Sequence, residues 1–195
     1  MRRLCGAPSL SDEKSLLVLV DAHDIEAGLG EKIEVHRFGL LHRAVSVFIF
    51  DGAGRMLLQK RSSSKYHSRD LWSNSCCTHP HAGEPVLAAA HRRLGDEMGF
   101  DCELHGVGAF IYRAEVGNGL IEHEYDHLFV GRYDGNLRPN AAEVSGWKWE
   151  HVDVVIDDVA SDPRKYSAWF PLALHELETC GVLRTFLSQR ETGAI

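Results

Sequence analysis

The chain has 195 residues, 44% of them apolar and 25% charged, with a formal net charge of -7. It is long and apolar enough for one domain with a buried core. It is too acidic to favour nonspecific contact with nucleic acid or an anionic membrane, and no apolar run reaches the roughly 18 residues that span a bilayer. Leu16 to Val20 reads as a short strand, and Asp21 to Lys32 as a turn-rich passage with Gly28 and Gly30. Ala44 to Phe50 is a strong strand, Asp51-Gly52-Ala53-Gly54 a hairpin turn, and Arg55 to Arg61 the returning strand. Ser62 to His81 reads mostly as loop. Pro85 to Met98 is the clearest helix, with Pro85 at its first position, a buried stripe of Val86, Leu87, Ala90, Leu94 and Met98, and Gly99 as its stop. Gly106 to Ala114, Glu124 to Tyr133 and the segment around Trp147-Lys148-Trp149 read as strands. Pro171 to Leu187 reads as a closing amphipathic helix, with Leu174, Leu177, Leu183, Phe186 and Leu187 apolar. Strands and helices mix without strict alternation, so the expected class is α+β with a mixed sheet.

Met1-Arg2-Arg3-Leu4-Cys5 lacks the long apolar core of a secretory signal, so the expected location is the cytoplasm. The cysteines, Cys5, Cys76, Cys77, Cys102 and Cys180, are odd in number and two are adjacent, which does not suit a disulfide framework. Free thiols fit a reducing compartment. The expected organisation is one domain over 1–195, with 1–15 as a flexible N-terminal extension, in a monomer or weak dimer.

The chemistry concentrates in three places. Asn74-Ser75-Cys76-Cys77-Thr78-His79-Pro80 sets two adjacent thiols two and three residues before a histidine. In Glu122-His123-Glu124 both carboxylates would share one face of a strand, and His123 would point away as a structural histidine. With these, His36, His42, His79, Glu122 and Glu124 form a candidate metal set, and its imidazole and carboxylate donors suit Zn2+, Mn2+ or Mg2+. The chain has 12 histidines, so spacing alone does not single these out. Arg93 and Glu97, one helical turn apart, are either a plain solvated ion pair or a cation-binding carboxylate beside an anion-binding guanidinium.

Glu84, followed by Arg92-Arg93-Leu94-Gly95-Asp96-Glu97-Met98-Gly99-Phe100, resembles a degenerate Nudix box. Thr78 stands where the box begins with Gly, and Arg93 and Asp96 stand where hydrolases carry Glu. Trp72 to Pro80 resembles the cysteine motif of type I isopentenyl-diphosphate isomerases. The cysteine motif, the altered box and Glu122-His123-Glu124 occur in that family's order between about Leu16 and about Leu177. The resemblance implies a Nudix-like fold, a mixed β-sheet sandwiched by helices in a single domain. It also implies conversion of isopentenyl diphosphate to dimethylallyl diphosphate by antarafacial protonation and deprotonation through a carbocation. Cys77 would be the catalytic thiol, with Cys76 a neighbour outside the proton transfer. Glu124 would be the second acid/base and a metal ligand, assisted by Tyr112. Trp169 would face the hydrocarbon, although by position alone it reads as a core aromatic. Lys32, Arg61, Lys65 and Arg93 would hold the diphosphate, and Glu97 a Mg2+ bridging to it. His36, His42, His79, Glu122 and Glu124 would bind a second ion, Mn2+, Zn2+ or Mg2+. Asn74 and Ser75 would shape the cysteine loop.

The first alternative is a Nudix hydrolase of a nucleoside or prenyl diphosphate, against which Arg93 and an idle Cys77 both weigh. The second is a non-catalytic, metal-stabilised domain that binds a partner.

Overall fold

A computed structural model describes the backbone of residues 15–187 and the side chains of residues 15–184. The expected N-terminal extension therefore falls almost wholly outside the described residues, as do Cys5 and the side chains of Phe186 and Leu187. In chain order the elements are β1 (Leu16–Val20), β2 (Glu26–Glu31), α1 (Lys32–Phe38), β3 (His42–Phe50), β4 (Arg55–Arg61), β5 (Trp72–Ser73), β6 (Cys76–Thr78) and α2 (Val86–Met98). There follow β7 (Leu104–Gly117), β8 (Leu120–Arg132), β9 (Val144–His151), α3 (Val152–Ser161), a 3-10 turn (Pro163–Lys165), α4 (Phe170–Thr179) and α5 (Val182–Leu187).

β3 organises the molecule. Along one side it pairs in parallel with β8, from His42 opposite Glu124 to Phe50 opposite Arg132. Along the other it pairs antiparallel with β6, Ser46 opposite Cys77 and Val47 opposite Cys76. Its alternating side chains enter two different layers. Val45, Val47 and Ile49 pack with Leu57, Cys76 and the α2 residues Ala90, Leu94 and Met98. Phe48 and Phe50 pack with Met56, Leu128 and the helical residues Val155, Phe170, Leu174 and Leu177. A strand buried on both faces reads as a continuous apolar run, and His42 and Ser46 are the fully buried polar interruptions in this one, beside the partly exposed Arg43. The expected mixed sheet between helical layers is present.

The hairpin turn forms, with the Gly54 N–H bonded to the Asp51 carbonyl. Its strands then diverge: β3 and β4 pair only at Phe50 and Met56, and β4 continues against β9 over Arg55 to Arg61. This leaves β3 free to take β6 and β8 as its neighbours. Helix α2 starts at Val86, with Pro85 one residue before it, and ends at Gly99 (φ 74°), where a Cβ would lie 2.3 Å from the Arg138 carbonyl oxygen. Only glycine fits that stop.

Several expectations need correction. The turn-rich passage 21–32 contains β2, which pairs with β1, and leads into α1. Leu87 is 42% exposed, and Ala89 and Glu97 turn inward instead. The closing helix is broken at Cys180-Gly181, where Gly181 takes φ 79°. α3 was not anticipated, although Val152, Val155, Ile156 and Val159 repeat at helical spacing. β7 and β8 run well beyond the expected segments, to a turn at Asn118-Gly119 where both residues have positive φ.

The segment 62–81 is mostly irregular, as expected, but the cysteine motif itself carries two short strands, β5 and β6, joined by Asn74 and Ser75. Its polar side chains substitute for backbone partners: Asn74 Nδ2 donates to the carbonyls of Val47 (3.1 Å) and Cys76 (2.9 Å), and Ser75 Oγ donates to Leu57 O while accepting from the Ile49 N–H. A polar run reads as loop, but here every such group is buried and paired. The burial pattern of α2 predicts that Leu94→Ala costs about 3 kcal/mol of stability through the cavity it opens. Leu87→Ala should stay within about 0.5 kcal/mol. Urea unfolding measures both, and comparable losses would contradict this placement of the helix.

Candidate active site and metal centre

Strand alternation separates the two adjacent thiols. Cys76 enters the α2 layer, and Cys77 faces the opposite side. There the Cys77 sulfur donates to Asn74 Oδ1 (3.1 Å), accepts from Trp169 Nε1 (3.2 Å) and lies 3.5 Å from Ser46 Oγ. Burial pushes its pKa up to about 12, and the Asp126 charge adds to the effect. The thiol therefore holds its proton at neutral pH.

Glu122, Glu124 and Asp126 alternate along β8 and share a face. Tyr112, opposite Glu124 on β7, donates its hydroxyl to Glu124 Oε2 at 2.6 Å. Burial and neighbouring carboxylates raise the tyrosine well above its usual range. For Glu124, burial and Glu122 push the pKa up, but His42 and His79 outweigh them and hold it below the usual carboxylate value. Asp126 goes the other way: burial and the Glu124 charge push it well up, and its Oδ2 accepts from Ser46 Oγ at 2.7 Å. His123 points away and bonds the Gly39 carbonyl at 2.9 Å, as expected of a structural histidine.

His36 comes from α1 and His42 from β3. The left-handed turn at Gly39 (φ 60°) folds the chain back so that their rings lie 5.0 Å apart. Each donates Nδ1–H to a backbone carbonyl, His36 to Lys32 O (2.5 Å) and His42 to Leu40 O (2.9 Å). With Nδ1 so engaged, each ring turns Nε2 inward, where a neutral imidazole offers a lone pair. His36 Nε2 lies 3.0 Å from Glu122 Oε2, an oxygen with no hydrogen-bond partner, and His42 Nε2 lies 3.2 Å from His79 Nε2. His79 Nε2 is 2.9 Å from Glu124 Oε1. Among the described residues His36, His42, His79 and Glu122 bring ligand atoms within 4.8 Å of one another, so the group can hold a metal ion. Lone pairs aimed at one another and at a carboxylate need a positive charge between them. Burial drives His79 down to about 4. At His42 burial pulls the same way, but the Glu124 and Glu122 carboxylates outweigh it and raise the ring, so the charge comes from a metal ion or from a proton on His42.

Lys32, Arg61, Lys65, Arg93, Glu97, Cys77, His79, Glu122, Glu124 and Trp169 line one cavity. Arg61 lies over the Trp169 ring, its guanidinium 5.0 Å from the centroid, and Lys32 is 5.0 Å over the Tyr66 ring. Arg93 pairs with Glu97, and Glu97 is 2% exposed with Gln59 Nε2 on its second oxygen at 2.8 Å. This is a buried pair, not the solvated alternative, and it lies apart from the histidine group. The cavity thus gathers the expected site residues, while His36, His42 and Tyr112 reach it through the two carboxylates.

Besides Gln59, four contributors escaped the sequence reading. His67 Nε2 lies 3.0 Å from Glu122 Oε1, and Ser46, Asp126 and Glu143 bond to site residues. The period-two acidic run extends to Asp126, a signal that was available. His67, in an irregular segment, carried none. Of the other histidines, His127 pairs with Asp24 (3.0 Å) and His91 with Asp101 (2.6 Å), while the exposed His81 lines the cavity and pairs with Glu84 (3.6 Å).

If a metal ion satisfies the inward lone pairs, dialysis of the purified chain against a strong chelator should lower the melting temperature by about 5 °C or more. Adding back Zn2+ or Mn2+ should restore it. In Glu122→Gln the difference between treated and untreated protein should shrink. A melting temperature indifferent to chelator would contradict the metal assignment.

Comparison with known proteins agrees with this geometry. A family model described as NUDIX domain matches residues 40–170. The isopentenyl-diphosphate Delta-isomerase of Burkholderia multivorans is 51% identical over 154 residues, 79% of this chain and 88% of the relative. That of Streptomyces coelicolor is 43% identical over 175 residues, 87% of this chain and 88% of the relative. Among solved structures, DR0079 from Deinococcus radiodurans superimposes with a TM-score of 0.70 at 16% identity, covering 83% of this chain and 98% of that one, a likeness of fold alone. The chain belongs to the NUDIX domain family and, within it, to the isopentenyl-diphosphate Delta-isomerases.

Proposed function

We propose that this chain converts isopentenyl diphosphate to dimethylallyl diphosphate. The observation that carries the reading is geometric: Cys77 on β6 and Glu124 on β8, the strands on either side of β3, line one cavity, where burial raises the thiol and, against burial, the neighbouring histidines hold the carboxylate down. Moving a double bond by one carbon needs such a pair, because an unactivated alkene must gain a proton at one carbon and lose one at another. Cys77 gives its proton to the terminal methylene, leaving a tertiary carbocation. Glu124 then removes a proton from the carbon nearer the diphosphate, and the double bond forms there. The Trp169 N–H and the Ser46 hydroxyl support the thiolate, and Tyr112 orients the Glu124 carboxylate. The π-face of Trp169 can stabilise the cation by about 2 kcal/mol once water is excluded. Proton return from Glu124 to Cys77, through solvent or product exchange, resets the site.

Lys32, Arg61, Lys65 and Arg93 hold the diphosphate and so position the hydrocarbon. Glu97 would hold a Mg2+, which would supply positive charge to the diphosphate. His36, His42, His79, Glu122 and Glu124 hold Zn2+, Mn2+ or Mg2+, a donor set that accepts all three. When bound, that ion keeps Glu124 ionised and fixed in orientation. The chain acts on this small molecule as a single domain, monomeric or weakly dimeric. Free Cys76, Cys77, Cys102 and Cys180 fit a reducing cytoplasm. Against hydrolysis, the box position where hydrolases bear a carboxylate holds Arg93, already paired with Glu97.

Turnover of isopentenyl diphosphate with Mg2+, followed by NMR, tests the reading. Cys77→Ala and Glu124→Gln should each reduce kcat by about 1000-fold or more, as loss of an essential acid or base does, with circular dichroism unchanged. Retained isomerisation in both folded variants would refute the pair.

A further inference from the structure

Glu143 belongs to none of the motifs, yet it pairs with Lys65 and Arg93, two cations that line the cavity. It ends the turn before β9. Its N–H bonds the Asn140 carbonyl (2.9 Å), and its own carbonyl accepts from the Ser62 N–H (3.0 Å). Ser64 Oγ donates to Ala142 O at 3.1 Å, so this turn is strapped to the segment that carries Lys65. From there the Glu143 carboxylate contacts Lys65 Nζ and lies 2.7 Å from Arg93 NH2. The same two cations also face Glu97, Arg93 in direct contact and Lys65 at 3.7 Å. Two cations and two carboxylates form a closed ring.

The two carboxylates are not equivalent. Glu97 is buried to 2% exposure and anchored through its second oxygen by Gln59. The Glu143 side chain is 23% exposed and sits on a turn at the rim. Glu143 is therefore the one that can withdraw to water while Glu97 stays. Lys65 and Arg93 are mostly buried, and a buried cation without a counter-anion is costly. Some anion must neutralise the pair before any ligand arrives.

We propose that Glu143 is a built-in surrogate for the substrate's diphosphate, occupying Lys65 and Arg93 in the free protein and yielding them when a diphosphate enters. This rests on the reading that these two side chains bind a diphosphate. A ligand must displace a carboxylate already held by two cations. Multiply charged anions can do so, and singly charged ones compete on equal terms with Glu143 and gain little. Glu143 is a specificity-determining residue, raising the threshold for occupancy at a cost in affinity.

The test is calorimetric titration of the full chain with inorganic diphosphate and Mg2+. Glu143→Gln keeps the shape and removes the charge, and should lower Kd by about fivefold, the order expected for losing a partly exposed competitor. Glu143→Asp, with the charge retracted by one carbon, should tighten binding less. Thermal melts check that each variant folds. Binding that is unchanged or weaker in both variants overturns the proposal, because Glu143 would then only aim the cations or ligate the Mg2+. If the unaltered chain binds no diphosphate at all, the underlying assignment of Lys65 and Arg93 fails as well.

Discussion

The parallel pairing of β3 with β8 is the constraint on which the site depends. It sets His42 opposite Glu124 and carries Ser46 and Asp126 along the same face. A slip of one residue would turn Glu122, Glu124 and Asp126 to the other face and disperse the histidine group. The register is held by the two apolar layers that β3 serves. Val45, Val47 and Ile49 must meet α2, and Phe48 and Phe50 must meet α4. The burial that stabilises the fold is the same burial that aligns the acids.

Low polarity then governs the chemistry. Cys77 and Glu124 sit in one buried environment, but their partners differ. Histidines surround Glu124 and keep it ionised, whereas Asn74, Ser46 and Trp169 surround Cys77 without supplying a positive charge, so it stays protonated. Burial alone would raise both groups. The asymmetry comes from what each touches, and the proposed roles of proton donor and proton acceptor rest on it.

Much of this was legible in the sequence where residue pattern and geometry coincide. The α2 helix, its glycine stop and the strand-like Glu122/Glu124 spacing follow local rules, and the structure follows them too. The cysteine motif was harder. Asn74 and Ser75 look like loop formers, yet they pair with the backbone of β3 and β4, a long-range arrangement that local composition does not encode. Leu87 failed for a different reason: it shares a face with the buried Leu94, seven residues on, but stands in the first turn of α2, where it stays exposed. His67 and Glu143 reach the site from irregular segments, where no periodicity marks a face. His36 entered the candidate set by residue type and was strengthened by resemblance, since the turn at Gly39 that returns it to His42 is a tertiary feature.

The central claim, that a neutral thiol and an ionised carboxylate exchange one proton each with an alkene, is tested most directly in deuterated water. The unaltered chain would be incubated with isopentenyl diphosphate and Mg2+, and the product analysed by NMR. The account predicts dimethylallyl diphosphate with deuterium in the methyl group formed from the terminal methylene, and no release of phosphate. Phosphate release with the double bond unmoved would contradict it.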